Sequence, residues 1–364
     1  MKTSKLKMVI NLVTLLLLGA TIYSLRSNIL ETLKNIKNAD YFILAIIPFL
    51  QYWNYRSTGN LYRSIYKIFG VDISQNQSLK LALELNFVGF VLPTAGVSVI
   101  SYLAVRMREK AKASISTSVI TTKIMIQNLS FVIFLFGGLF VLSAYGKASN
   151  LLILVSSSLS LMILFGGAIF IYIISSKARI RSSTKWLIDL VNLFFTKLKQ
   201  AKNNLAAKLS SKKVEKKVND VLDSERIVAR LSTIHDNYLI LKRSRRHLKK
   251  PFVYGLLANL TELATIYLVF AAIGYIVNPG AIIISYAVAS FSGIFSIMPG
   301  GVGIYEGLMV AVMVSAGVPA GVSLSGIVMY RIINTALSLP AGYYYYHKRL
   351  NADSLLKLNP KNKK

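Results

Sequence analysis

The 364 residues contain no cysteine, which excludes disulfides, thiolate zinc sites and cysteine nucleophiles. Histidine is scarce. His235, His247 and His347 all lie in basic stretches, so no histidine-rich metal site is expected. Acidic residues are few as well, 14 against 43 Lys and Arg, leaving a formal charge of +29. There is no GxxxxGK[ST] loop or strand-glycine fingerprint, so no nucleotide-type phosphate cradle is expected. No Gly-x-Ser-x-Gly elbow with partner His and Asp occurs either. Glycosidase-like chemistry would need two carboxylates facing one substrate. Glu84, Glu262 and Glu306 could converge, but their spacing does not require it. The sequence therefore offers no cofactor or metal site and little support for enzymatic chemistry.

The abundant feature is apolar length. Hydrophobic residues make up 54% of the chain and charged ones 16%, and mean hydropathy is +0.53. Several apolar runs exceed about 18 residues, the length that reads as a membrane span. The class is an all-α polytopic membrane bundle of about seven or eight spans. The basic residues fall between apolar runs, where the positive-inside rule and anionic headgroups account for them better than nucleic acid does.

Lys2, Lys5 and Lys7 precede the apolar stretch Met8–Leu25, which has neither the short core nor the small-residue exit of a cleaved signal. It reads as an uncleaved first helix with a cytoplasmic amino terminus. A second span runs from about Asp40 to Tyr55 and continues as an interfacial helix bearing Arg56, Arg63 and Lys67. Leu81–Ala104 is interrupted and flanked by basic residues on both sides, as in a re-entrant hairpin. Ile115–Leu142 and Leu151–Ser175 form a helical pair. Further spans are expected at Phe252–Val277, Ala281–Met298 and Val322–Tyr346, with a short run at Ile304–Ala316. Tyr343–Tyr346 would sit in an interfacial aromatic belt.

Four regions follow: a membrane half over 1–175, a basic segment over 176–250, a second membrane half over 251–346 and a basic tail over 347–364. The 176–250 segment carries 20 basic against 6 acidic residues, a net of +14. Val214, Val218, Val221 and Leu222 recur at helical spacing. Trp186, Leu187, Leu190, Val191, Phe194 and Phe195 suit a helix in the headgroup plane. Two readings stand for this segment: a linker that sets topology, or a surface that concentrates anionic lipid.

Each membrane half holds one Gly/Pro-interrupted apolar stretch: FVGFVLPTAGVSV from Phe87 and FSGIFSIMPGGVGI from Phe291. Proline removes an amide donor, and glycine loosens the backbone. Broken helix at membrane depth persists only where protein or a watery cavity satisfies the freed groups. Paired interruptions in corresponding halves point to a transporter's central site, and to an inverted repeat. Pro93, Gly96 and Ser98 in the first break, with Pro299, Gly300, Gly301 and Gly303 in the second, would expose helix ends that favour an anion. Asn86, Ser98, Ser101 and Arg106 could add donors. Close helix packing by small residues is the plainer alternative.

Charges at membrane depth are few: Glu84, Glu262, Glu306 and Arg331. Each costs at least about 2.5 kcal/mol at a span's centre unless paired or hydrated. A Glu306–Arg331 pair across the turn near Val318–Gly321 would lower that cost, either fixing register or gating a polar groove. Glu262 and Glu84 are candidate proton carriers if transport is ion-coupled.

On these residues the chain resembles the lysylphosphatidylglycerol synthase transmembrane-region family, also called the flippase-like domain family. NFVGFVLPTAGVSVISYLAVRMREK resembles its Asn…Pro-x-x-Gly…Arg block, with Asn86, Pro93, Gly96 and Arg106 on matching positions. MPGGVGIYEG is similar to its PGG-x-G-x-x-E motif through Pro299, Gly300, Gly301, Gly303 and Glu306, and VMYRI supplies Arg331. Many members carry an acid just after the first glycine, where this chain has Val97 and Ser98.

The resemblance implies a cell-membrane, multi-pass protein that moves phospholipid or polyprenyl-linked lipid between leaflets, with both termini cytoplasmic. Its implied partners are membrane lipids, above all anionic phospholipid or polyprenyl phosphate, together with a lipid-modifying enzyme or glycosyltransferase and a second copy of the chain. Members with phosphatidylglycerol lysyltransferase activity add a large soluble domain, and only a short basic tail follows Tyr346 here. Relatives of that synthase, and accessory proteins of lipid-linked glycan synthesis, are the alternative function.

Overall fold

The computed structural model describes residues 39–92, 97–146, 149–186, 188–190, 224–292 and 303–358. The first expected span, residues 187 and 191–223 of the basic segment (with Leu187, Val191, Phe194, Phe195, Val214, Val218, Val221 and Leu222), and Pro93, Gly96, Pro299, Gly300 and Gly301 lie outside the described residues. Among the described residues the regular structure is helical throughout, as an all-α membrane bundle requires.

Helix α1 (Tyr41–Ile68) starts where the Asp40 side chain accepts from the amides of Phe42 and Ile43, at 2.9 and 3.3 Å. These donors would otherwise be unsatisfied at the helix start. A Ser74–Gln77 capping box opens α2 (Gln75–Val91). The chain resumes as α3 (Val97–Arg106), followed by α4 (Ala113–Ala144) and α5 (Asn150–Ile174). A helical stretch over 177–186 and α6 (Ser224–Arg243) belong to the basic segment. The second half consists of α7 (Lys249–Ala272), α8 (Pro279–Ser292), α9 (Ile304–Ser315) and α10 (Ala320–Leu358).

Four helical stretches among the described residues are long and apolar enough to cross a membrane: Ala113–Ala144, Asn150–Ile174, Arg245–Ala272 and Ala320–Arg349. Helices α3, α8 and α9 are apolar but have only 10, 14 and 12 residues. Over the described residues they reach about 15–21 Å at 1.5 Å per residue. The region expected as a span plus an interfacial helix is one continuous helix, α1. The last helix likewise runs past Tyr346 to Leu358.

Helix α1 exposes large apolar side chains while burying polar ones among its core residues. Phe42, Phe49 and Trp53 are exposed, whereas Gln51 and Ser57 are buried. It runs antiparallel to α7. The Asp40 amide donates to Ala272 O, Gln51 Nε2 to Thr265 Oγ1, and Asn54 Nδ2 to Ala258 O. Helix α5 is mostly exposed along apolar residues such as Leu154 and Phe165. A face of that kind suits lipid rather than water.

One hydrophobic core draws on both membrane halves. Ile47, Leu135 and Leu142 cluster with Ile266, Phe270, Ile284, Met309 and Ile327. Small residues allow the close approaches that membrane helices use. A Cβ at Gly342 of α10 would lie 2.7 Å from Leu83 O and from Phe87 Cβ of α2. Gly59 of α1 lies equally tight against the Ser78 backbone of α2.

Candidate functional site

The helices on the two sides of the first interruption pack against each other. Helix α3 returns antiparallel along α2, with a Cβ at Gly89 falling 3.2 Å from Val99 and Ser98 Oγ donating to Leu92 O at 3.1 Å. This fold-back brings Glu84 and Arg106, 22 residues apart, together. Arg106 Nε lies 2.8 Å from Glu84 Oε2, and Tyr102 OH donates to the same oxygen at 3.0 Å. Glu84 is buried, with its side chain 3% exposed, while the Arg106 side chain keeps 19%. Phe87, Tyr102, Tyr343 and Tyr346 pack around the hairpin with ring centroids 5.3–5.7 Å apart. Two tyrosines of the expected aromatic belt thus turn onto α2 and α3, and Tyr344 remains exposed.

Past the second interruption, α9 opens on Gly303, whose φ of +89° is a backbone state that L side chains avoid. The Gly303 amide donates to Glu306 Oε2 at 2.7 Å. A carboxylate in the first turn also meets the positive end of the helix. The other oxygen, Oε1, lies 3.1 Å from Arg331 Nη1, with the two side chains 7% and 10% exposed. The Arg331 guanidinium stacks 4.7 Å from the centroid of the Tyr305 ring. Glu306 and Arg331 therefore meet as the sequence suggests, and the acid also caps its own helix.

The bundle also encloses a cavity of about 430 Å³. Its polar lining includes Asn54, Tyr55 and Thr58 of α1, Asn86 of α2, Lys123 and Gln127 of α4, Asn259 and Glu262 of α7, Tyr286 of α8 and Asn334 of α10. Glu262 Oε1 accepts from Tyr330 OH and from Asn334 Nδ2 (3.2 Å), and Oε2 accepts from Asn54 Nδ2 at 3.0 Å. One carboxylate therefore ties α1, α7 and α10. Asn259 Nδ2 donates to Gln127 O at 3.1 Å and Ser130 Oγ at 2.8 Å, joining α7 to α4. Buried polar groups in a low-dielectric interior hold only when partnered, which makes this network rigid. A polar cavity of this size could admit a small headgroup or several waters.

Of the sequence-expected residues, Asn86 and Glu262 line the cavity. Glu84 with Arg106, and Glu306 with Arg331, form closed ion pairs and are not among its lining residues. Ser98 serves the hairpin turn. Sequence reasoning passed over Lys123, a cation in the middle of an apolar helix, because the run from Ile115 to Leu142 reads as one uniform span. It also passed over Asn54, Gln127, Asn259 and Asn334. An amide every few residues along otherwise apolar helices was the available signal. Among the described residues no group of three or more acids and histidines could hold a metal ion.

Known proteins give this geometry a context. A UPF0104 membrane protein from Methanothermobacter thermautotrophicus is 39% identical over 83 residues, which are 23% of this chain and 25% of that protein. The match thus spans a quarter of the relative's length. No solved structure matches. Residues 8–342 match the family described as the lysylphosphatidylglycerol synthase TM region, nearly the whole chain including both interruptions. The chain belongs to the lysylphosphatidylglycerol synthase transmembrane-region family.

Proposed function

We propose that this protein moves a lipid between the leaflets of the cell membrane, its headgroup passing through the polar cavity while the acyl or prenyl chains stay in hydrocarbon. One observation carries the reading: a cavity of about 430 Å³ lined by amides, hydroxyls and two charged side chains, inside a bundle whose outer faces are apolar. Cutting such a cavity into a membrane protein is costly, and polar groups at that depth mark a pathway. The described apolar helices α3, α8 and α9 beside the two interruptions suit re-entrant elements, whose irregular backbone belongs beside a cavity. Anionic phospholipid and polyprenyl phosphate are the substrates that suit the chain's basic balance. By the positive-inside rule both termini lie in the cytoplasm. The two acid–arginine pairs act as latches on the helices that follow the interruptions. A lipid-modifying enzyme or a glycosyltransferase is the natural supplier of such a substrate.

The test is reconstitution with fluorescent phosphatidylglycerol, aminoacyl-phosphatidylglycerol and a polyprenyl phosphate, followed by leaflet exposure measured with a membrane-impermeant quencher. Wild type should equilibrate at least one of these lipids, and Glu306→Gln should slow it about tenfold or more, the effect of losing roughly 1.4 kcal/mol. Movement of none of them sinks the function. Equal rates in both proteins sink the latch role of Glu306.

A further inference from the structure

The two charged residues of the cavity are in opposite states. Glu262 is committed, since both oxygens already accept from Tyr330, Asn334 and Asn54. Lys123 makes no hydrogen bond or ion pair with any described residue; its Nζ sits 6.0 Å from the centroid of the Tyr62 ring. An ammonium in an apolar bundle without a counter-ion is costly unless water or an anion reaches it. On the same cavity wall, Asn334 Oδ1 is buried without a hydrogen-bond partner, although its Nδ2 is used twice. The other polar lining groups, among them Tyr55, Thr58, Asn86 and Gln127, are neutral. To a guest the cavity therefore offers one cation, an open acceptor and neutral amides and hydroxyls. Its only carboxylate among the described residues is already occupied.

We infer that Lys123 holds the phosphate of a ligand whose other polar groups are hydroxyls, a phosphate ester of glycerol or a sugar, and that Asn334 Oδ1 accepts one of those hydroxyls. A headgroup amine would bring a second ammonium beside Lys123 with no uncommitted carboxylate to receive it. Glu262 is then a positioning residue that orients Asn334 by holding its Nδ2. This inference rests on the lipid-moving reading for the source of the ligand, but its chemistry can be tested apart from movement.

The experiment measures displacement of labelled phosphatidylglycerol from the purified full chain in detergent micelles. The competitors are phosphatidylglycerol, phosphatidic acid, phosphatidylethanolamine and soluble glycerol 3-phosphate, tested on wild type, Lys123→Gln, Lys123→Arg and Asn334→Leu. Wild type should prefer phosphatidylglycerol to phosphatidylethanolamine by about tenfold or more. Lys123→Gln should abolish that preference, and Lys123→Arg, which keeps the charge and guards against a folding artefact, should retain most of it. Asn334→Leu should weaken phosphatidylglycerol severalfold and leave phosphatidic acid, which has no headgroup hydroxyl, unchanged. Phosphatidylethanolamine bound as well as phosphatidylglycerol, or an undiminished preference in Lys123→Gln, overturns the inference. Glycerol 3-phosphate bound as tightly as lipid supports the Lys123 assignment and overturns the lipid source. Lys123-dependent lipid binding in a protein that moves no lipid in vesicles supports the inference and overturns the translocation reading.

Discussion

The two interrupted segments each end in a buried acid–arginine pair, yet the pairs are built differently. At the first, Glu84 lies before the break and Arg106 after it, so the pair closes one hairpin upon itself. At the second, both residues follow the break. Glu306 opens α9, Arg331 lies within α10, and the acid spends one oxygen on its own helix start. The first pair is shared with a tyrosine hydroxyl and keeps its arginine partly exposed; the second is shared with the backbone and more deeply buried. The same charge chemistry thus stabilises a fold-back in one half and a helix start in the other. An exact inverted repeat would place the acid symmetrically about both breaks, and these two segments do not.

Removing Glu306 should separate the two regions most strongly. Glu306→Ala takes away a helix cap and a buried counter-ion together, and loss of one partner from a buried pair costs about 3–5 kcal/mol. Thermal unfolding in detergent should register that loss, and it should exceed the loss for Arg331→Ala, which leaves the cap intact. Charge reversal sharpens the contrast. Glu84→Arg combined with Arg106→Glu should recover much of the stability lost by Glu84→Arg alone, because there the swap forfeits one tyrosine hydrogen bond and no helix cap. Glu306→Arg combined with Arg331→Glu should recover little, because an arginine cannot accept from the Gly303 amide. Equal recovery in both halves would erase the distinction. Gly303→Ala should cost about 1–2 kcal/mol by forcing a side chain into the left-handed region. Tyr102→Phe should have the smallest effect, about 1 kcal/mol for one lost hydrogen bond, visible as a small drop in melting temperature with α9 unaffected.

The places where sequence reading succeeded and failed follow from the same physics. Glu306, Arg331 and Glu84 stand out because a lone charge in an apolar run has to find a partner, and both partnerships join residues within about 25 positions of each other. Lys123 is as conspicuous chemically, but it lies within a span that scores as uninterrupted, and nothing nearby in sequence answers it. Asn54, Gln127, Asn259 and Asn334 are individually unremarkable. They become a site only because α1, α4, α7 and α10 turn those faces toward one another. The aromatic run at Tyr343–Tyr346 was legible as aromatic. That half of it packs on Phe87 and Tyr102 depends on where α10 crosses the hairpin.

Composition and apolar run length by themselves made this chain a helical membrane protein, because no soluble core needs so many long uncharged stretches. Which polar groups face one another was left to tertiary packing. Hydrogen bonds such as those on Glu262 join residues more than 60 positions apart, and only the packing of helices brings groups that distant within bonding range.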